Sequence, residues 1–484
     1  MERNANSVGV GGFNTSKEEL DESAFFDGFT NRHLEVGSIK GHQCKYRPVT
    51  HTDTVTKYII YGDPDKFIDP ESFRLKGKCK LQKKGTDGAW INLEAEDECS
   101  VINNAIQASM DKVNFTLDGT LFGDNTNNWY SWKSTIETLL SYSKSGQEFG
   151  LQNRCWFPDD AGKHDKLATA AIKTGLHGGP KARSASQNKG YEKRRKLFNN
   201  SEWVYFQIPL HSDICTMKCH IPPNVKVEVD ITRGEKEFVI LSPDTSTSFR
   251  LHFEDLELLC IKQEHSAEVR KFYFDQIKSG KRYKTKIDRS VIREYTKQTG
   301  AFNLSHYNLI SGAQMPDQII ACMVEEAAVY GSKTKNPFNF QHFRTKESSI
   351  VYNGIHEPED KLLMTLGTTD AGGNWSLTTD EFVRGDCNDF YQSFLDNIGL
   401  KMSDENININ KEKYFQGYFF IPFDRSPDKC NRYHEHIYPG GVIDINHHVS
   451  VALEQNIRYI VYATYSTEII FDSGKVFKDQ RLEI

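Results

Sequence analysis

From Val225 to Ile231 every second residue is apolar (Val225, Val227, Val229, Ile231), with Lys226, Glu228 and Asp230 in the gaps. A two-residue period is the mark of a half-buried strand and cannot line one face of a helix, whose apolar residues recur every three or four. The same alternation runs through Phe73, Leu75, Cys79 and Leu81, through Val113, Phe115 and Leu117, and through Ile457, Tyr459, Val461, Ala463 and Tyr465. Phe249, Leu251 and Phe253 keep it, and then Leu256 and Leu258 shift phase, as a β-bulge requires. Spread from Tyr58 almost to the C-terminus, these segments predict an all-β chain.

Two turn dipeptides punctuate it. Asp118-Gly119 follows Val113–Leu117, and Asn353-Gly354 follows Ile350–Tyr352; both are strong hairpin signals. Helical spacing is rarer. Trp132, Ile136, Leu139 and Leu140 predict one short amphipathic helix, and Phe390, Phe394, Leu395 and Ile398 a second, with Asp386 or Asn388 as its N-cap. Ala267–Ile277 predicts a third. Each half thus carries a strand, a hairpin and then an amphipathic helix. The hairpins lie 235 residues apart, and 484 residues exceed what one hydrophobic core supports, so two large β domains are expected. No residue-level repeat is visible, and two unrelated β domains fit the pattern equally well.

Only 38% of residues are hydrophobic and 26% are charged, which implies long polar loops, whereas 12% aromatics exceed what a disordered chain carries. A formal net charge of −6 argues against a surface devoted to nucleic acid and leaves room for weak contact with genomic DNA at most. One segment departs from this balance: residues 163–200 hold ten Lys or Arg and two acidic residues. Within it, Lys193, Arg194, Arg195 and Lys196 form a basic run that suits nuclear import or nucleic-acid contact, the ordinary alternative being a solvated loop. No stretch of 18 apolar residues predicts a membrane span, and residues 1–19 lack the apolar core of a signal peptide. The ten cysteines are scattered singly and read as reduced structural thiols.

Motifs for chemistry are weak. His434-Glu435-His436 has the spacing of a cupin metal pair, but no carboxylate follows before Asp444. His447 and His448 are adjacent, so a strand sends them to opposite faces. Cys215 and Cys219-His220 lack a second pair for zinc. There is no P-loop, dinucleotide-binding glycine loop or nucleophile elbow, and no nucleophile–base pair stands out. No enzyme activity, metal or cofactor is expected.

The segment Lys335, Asn336, Pro337, Phe338, Asn339, Phe340, Gln341, His342 and Phe343 is more specific. With Gln314-Met-Pro before it and Ala327-Ala-Val-Tyr-Gly331 between, it resembles the hexon-type major capsid protein of Polinton/Maverick elements and adintoviruses, including copies integrated in animal genomes. Val113–Gly119, Ile136–Tyr142, Leu210–Ile214, Tyr414–Asp424 and Ile460–Ile470 resemble further blocks of that family, in the family's order. The resemblance runs from about Glu18 to the C-terminus. Trp132 and the Phe-Ile-Pro-Phe-Asp segment ending at Asp424 depart from its pattern.

The resemblance implies a double jelly-roll, two eight-stranded antiparallel β-sandwiches side by side: an N-terminal arm over 1–56, a first roll over 57–264 and a second over 265–484. It further implies a homotrimeric, pseudo-hexameric capsomer that tiles an icosahedral capsid around double-stranded DNA, with neighbouring capsomers and a minor or penton capsid protein as partners. The protein would then be made in the cytoplasm, reside in the virion, and reach a nuclear assembly site if the basic run acts as an import signal. The Lys335–His342 block is expected to pack between domains or between protomers, or to form an internal corner of one roll. A domesticated host β-sandwich binding protein and a bicupin-type metalloenzyme are the alternatives.

Overall fold

A computed structural model describes residues 38–94, 97–124, 126, 128–167, 187–365, 387–400, 407–425, 439–472 and 475–478. The first half contains β1 (Ser38–Tyr46), β2 (Thr50–His51), β3 (Val55–Ile60), β4 (Lys66–Lys84), β5 (Trp90–Asn92), β6 (Ser100–Val101), β7 (Met110–Leu117), β8 (Thr120–Phe122), β9 (Val204–Pro209), β10 (Val227–Arg233), β11 (Ile240–Leu241) and β12 (Phe249–His265). One sheet runs β1-β12-β4, with β5 and β9 both beside β4, and the other runs β2-β3-β10-β7-β8. The second half contains β13 (Tyr283–Lys297), β14 (His306–Gln314), β15 (Gln318–Glu325), β16 (Thr345–Tyr352), β17 (Ile355–Leu363), β18 (Phe420–Asp424), β19 (Pro439–Val449), β20 (Ile457–Asp472) and β21 (Lys475–Lys478). Its sheets run β13-β20-β15-β18, with β21 beside β20, and β14-β19-β16-β17.

With the short strands β2, β5, β6, β11 and β21 set aside, the same antiparallel winding appears twice. In each half the first, eighth, third and sixth principal strands form one sheet, and the second, seventh, fourth and fifth form the other. That winding is a jelly-roll, and the chain is a double jelly-roll.

The alternation seen in the sequence becomes the cores. Val227, Val229 and Ile231 point inward with at most 1% exposure, while Glu228 and Asp230 face out toward Lys57 at 2.7 and 3.5 Å. The phase shift after Phe253 is a bulge: the β12–β4 register slips between Glu254 and Glu257, and Asp255 takes φ 52°. Both turn dipeptides close hairpins between the fourth and fifth principal strands, with positive φ at Asp118 (45°) and Gly119 (88°) and at Asn353 (48°) and Gly354 (87°). Two successive left-handed residues match the right-handed strand twist, which is why these dipeptides recur there.

Among the described residues the α-helices are α1 (Ala105–Ala108), α2 (Trp129–Ser141), α3 (Lys189–Leu197), α4 (Ala267–Lys278), α5 (Glu326–Val329), α6 (Asn388–Asn397) and α7 (Lys411–Phe415). α2 and α6, both anticipated from spacing, occupy the same place in the two windings, between the fifth and sixth principal strands. α4, also anticipated, links the rolls.

Three expectations need correction. Residues 38–56, read as the end of an arm, form β1, β2 and the start of β3; β1 is polar and largely exposed, so backbone pairing to β12 holds it rather than a buried face. The cap position of α6 is Cys387, with no side-chain cap bond; Asn388 is already helical, and Asp386 lies outside the described residues. The segment from Lys189 to Leu197 is helix α3 rather than a loop, begun by Asn188, whose side-chain Oδ1 accepts from the amides of Gly190 (3.1 Å) and Tyr191 (3.3 Å).

Candidate functional site

The two rolls meet along a seam, and the Lys335–His342 block lies in it. Phe338 sets its ring edge-on to Trp132 of α2 (centroids 5.6 Å apart) and to Phe238 (6.0 Å), both from the first half. Phe340 has no exposed surface and packs against Phe420 at 4.6 Å. The intervening polar residues fix the turn. Asn336 accepts from the Phe338 amide (2.9 Å) and donates to Asp159 (3.0 Å); its own amide donates to Asp165 (2.6 Å), to which Asn339 also donates (2.9 Å). Pro337 is buried, Lys335 pairs with Glu325 at 3.1 Å, and the Gln341 amide donates to the Met323 carbonyl. His342 faces Phe415 and Phe419, and its Nδ1 accepts from the Arg344 amide at 3.0 Å.

A second cluster carries charge through the seam. Lys133 of α2 is 1% exposed and donates to Asp213 (2.9 Å), Glu137 (2.7 Å) and Ser290 of β13 (2.7 Å). Tyr462 of β20 donates to Glu137 (3.0 Å), and His211 Nδ1 lies 2.7 Å from the same carboxylate. Next to Lys133 on α2, Trp132 Nε1 donates to Glu294 of β13 at 2.7 Å. Burial opposes the Lys133 charge, but Asp213 and Glu137 outweigh it and hold the ammonium above the ordinary lysine range. Burial likewise opposes the Glu137 charge; Lys133 and His211 overcome it and bring this carboxyl down to about 2. Removing one partner from such a buried set leaves an uncompensated ion, which typically costs about 3–5 kcal/mol.

A third cluster centres on Asp159. Arg194, fully buried, pairs with it at 2.5 Å and also donates to the carbonyls of Val101 and Phe157. Asn188 and Asn336 donate to the two carboxylate oxygens, and Tyr418 of the second half donates to the Asp159 carbonyl at 2.8 Å.

The basic run therefore does not present four free side chains. Arg194 is the centre of a buried ion pair, Arg195 pairs with Glu192 at 2.8 Å, and Lys193 and Lys196 are exposed. The rest of the basic segment, residues 168–186, lies outside the described residues, as does His434-Glu435-His436. His447 is buried in β19, while His448 faces Glu347 at 3.0 Å, the opposite-face arrangement expected of neighbours on a strand. Among the described residues no three metal-binding side chains come together, and no helix is long and apolar enough to cross a membrane. The nine described cysteines are free thiols.

Sequence reasoning missed Lys133, Glu137, Asp159 and Asp213 as seam residues. Lys133 and Glu137 stand four apart on an amphipathic helix, the usual signature of an exposed ion pair. Nothing local reveals that a second roll covers them.

No protein-family model and no curated protein matches the chain. Solved structures do. The chain is similar over its whole length, and over 96% of the other chain, to a chain of the cryo-EM structure of the Sputnik virophage at 3.5 Å resolution (TM-score 0.54, 11% identity). It is also similar to VP54 of PBCV-1 fitted into a reconstruction of Sputnik (TM-score 0.53, 7% identity, covering 93% of this chain and 99% of that one). A quasi-atomic model of the PBCV-1 virus capsid matches with TM-score 0.50 and 9% identity over the same shares. At these identities the likeness is one of fold, and it spans both jelly-rolls.

Proposed function

We propose that this chain is a viral major capsid protein with a structural rather than a catalytic role. Three copies form a pseudo-hexagonal capsomer, and capsomers tile an icosahedral shell around double-stranded DNA, together with a minor or penton protein. The observation that carries this reading is the repetition of one winding in two rolls joined side by side, in a chain that resembles a chain of a virophage particle over its whole length and one of a virus capsid over 93% of it. The order of sequence blocks favours the Polinton/Maverick and adintovirus lineage. The division between rolls falls near α4, at about 264/265.

The seam suggests how copies join. Within the chain, the first roll offers α2 and the segment around Asp213, and the second offers β13 and β20. The counterparts not used in that seam are α6 of the second roll and the β1–β12 face of the first. A closed head-to-tail ring of three brings these together without inventing a new kind of contact. Nuclear import through Lys193–Lys196 suits the chain before the first roll closes, because the folded helix withholds Arg194.

The test is native mass by light scattering, with negative-stain imaging. Three chains of 55.4 kDa give about 166 kDa with hexagonal outlines. A stable monomer or dimer would instead favour a host binding protein built on the same fold.

A further inference from the structure

At one end of the first roll the loop between β2 and β3, the end of β10 and the start of β12 enclose a cleft of about 60 Å³. Arg233, the last residue of β10, lines it. No carboxylate pairs with its guanidinium among the described residues, and its Nη1 is shut off from solvent without a hydrogen-bond partner. The group lies 4.0 Å over the ring of Phe253, which supports a cation but supplies no acceptor. An arginine stays charged in a protein, and a charge withdrawn from water without a counter-ion is strongly disfavoured. Buried polar groups left unpaired are rare enough that each needs a reason, a bound ion being one.

The rest of the cleft is predominantly basic. Lys236 stands over the ring of Trp90 at 5.3 Å, and Arg250 stacks on the same ring at 4.6 Å. Of the two lining carboxylates, Asp53 is taken by Arg250 at 2.8 Å, and Glu235 is exposed at the rim. His51 and His252 also line the cleft. Burial, and next the Arg233 charge, hold the His51 imidazole below its ordinary value.

We propose that this cleft binds one free tetrahedral oxyanion of the sulfate or phosphate class, with the half-buried Arg233 as its anchor and Lys236 at its mouth. The volume admits a single such group or a few waters, not a run of phosphodiesters. The anion would supply the counter-charge that the fold leaves out and tie together three elements at this end of the first roll. This site is independent of the capsid reading, which native mass decides separately.

The experiment is thermal melting of the full-length protein as sulfate replaces chloride from 0 to about 50 mM at constant ionic strength, with Arg233→Met and Lys236→Ala alongside. Sulfate strengthens burial in any protein, so the comparison between variants carries the result. Wild type is expected to gain about 3–5 °C more than Arg233→Met across the series. In chloride alone, Arg233→Met should melt at or above wild type, because a half-buried charge without a counter-ion has gone. Parallel curves for wild type and Arg233→Met would overturn the site. Should Arg233→Met not fold, Lys236→Ala decides: its apparent sulfate affinity is expected to fall about two- to fivefold, and a curve superposing on wild type overturns the proposal.

Discussion

At the scale of single residues, the interior of this chain holds imidazoles where imidazolium is poorly solvated. His447 has no exposed surface; its Nε2 lies 2.9 Å from the Thr345 hydroxyl and its Nδ1 3.3 Å from that of Tyr459. Burial, with smaller contributions from His448 and Lys297, pushes it down to about 3; burial and Arg344 bring His342 down to about 4. Below the unfolded value of 6.5 the denatured chain takes up protons that the native chain refuses, so stability is full above that value and falls as pH drops toward 4. Each histidine contributes a slope of up to about 1.4 kcal/mol per pH unit in that window. Melting temperature should be nearly flat from pH 7 to 8 and drop steadily below 6.5. His447→Gln should flatten the fall; an unchanged slope would show that this imidazole is not responsible. The carboxylates held low by ion pairs, Glu137 and Asp159, add to acid lability only at still lower pH. Adjacent histidines on a strand were legible in the sequence as facing opposite ways. Which of them is buried was not, because that depends on packing between strands distant in the chain.

At the scale of elements, the sequence speaks most clearly where one segment sets its own geometry. The period-two runs became β10, β4, β7 and β20, the phase shift in β12 became a bulge, and both turn dipeptides became hairpins. Gly119 offers a clean test of the last point. It sits at φ 88° with nothing within 4 Å of an added Cβ, so Gly119→Ala probes backbone conformation alone. The expected loss is about 1–2 kcal/mol, read from urea denaturation; no loss would mean that the turn relaxes to another type. Two elements were illegible for physical reasons. β1 buries little, so its sequence need not alternate cleanly. α3 reads as a solvated basic loop because four adjacent cations suggest solvent; only the fold brings Asp159 to Arg194 and makes a helix there worth keeping.

At the scale of the molecule, the seam decides whether two rolls behave as one body. Phe338 is 4% exposed and touches aromatic rings from both halves, so Phe338→Ala opens a cavity where the rolls meet rather than inside either one. A loss of about 3–5 kcal/mol is expected, with lower yield of soluble protein and, under the proposed trimeric assembly, of trimer; unchanged yield and mass would remove this block from that proposal. The whole-molecule architecture was legible in outline, since chain length and the hairpin and helix signals in each half pointed to two large β domains, related or unrelated. The seam itself was not: Lys133, Asp213, Ser290 and Tyr462 are each unremarkable alone and acquire meaning only when β13 and β20 close over α2.

That closure has a consequence in time. Lys133, Glu137, Asp213 and Trp132 all belong to the half that leaves the ribosome first, whereas Tyr462 lies on the last long strand of the second half. At ordinary elongation rates of about 5–20 residues per second, the interval between completion of the first roll and arrival of β20 is on the order of 10–40 s. Throughout it, a finished domain shows water a face of ring edges and half-paired charges meant for a partner not yet made. Neighbouring nascent chains on one message present the same bare face over overlapping intervals, so early mispairing between copies is the hazard this architecture must survive before each second roll closes.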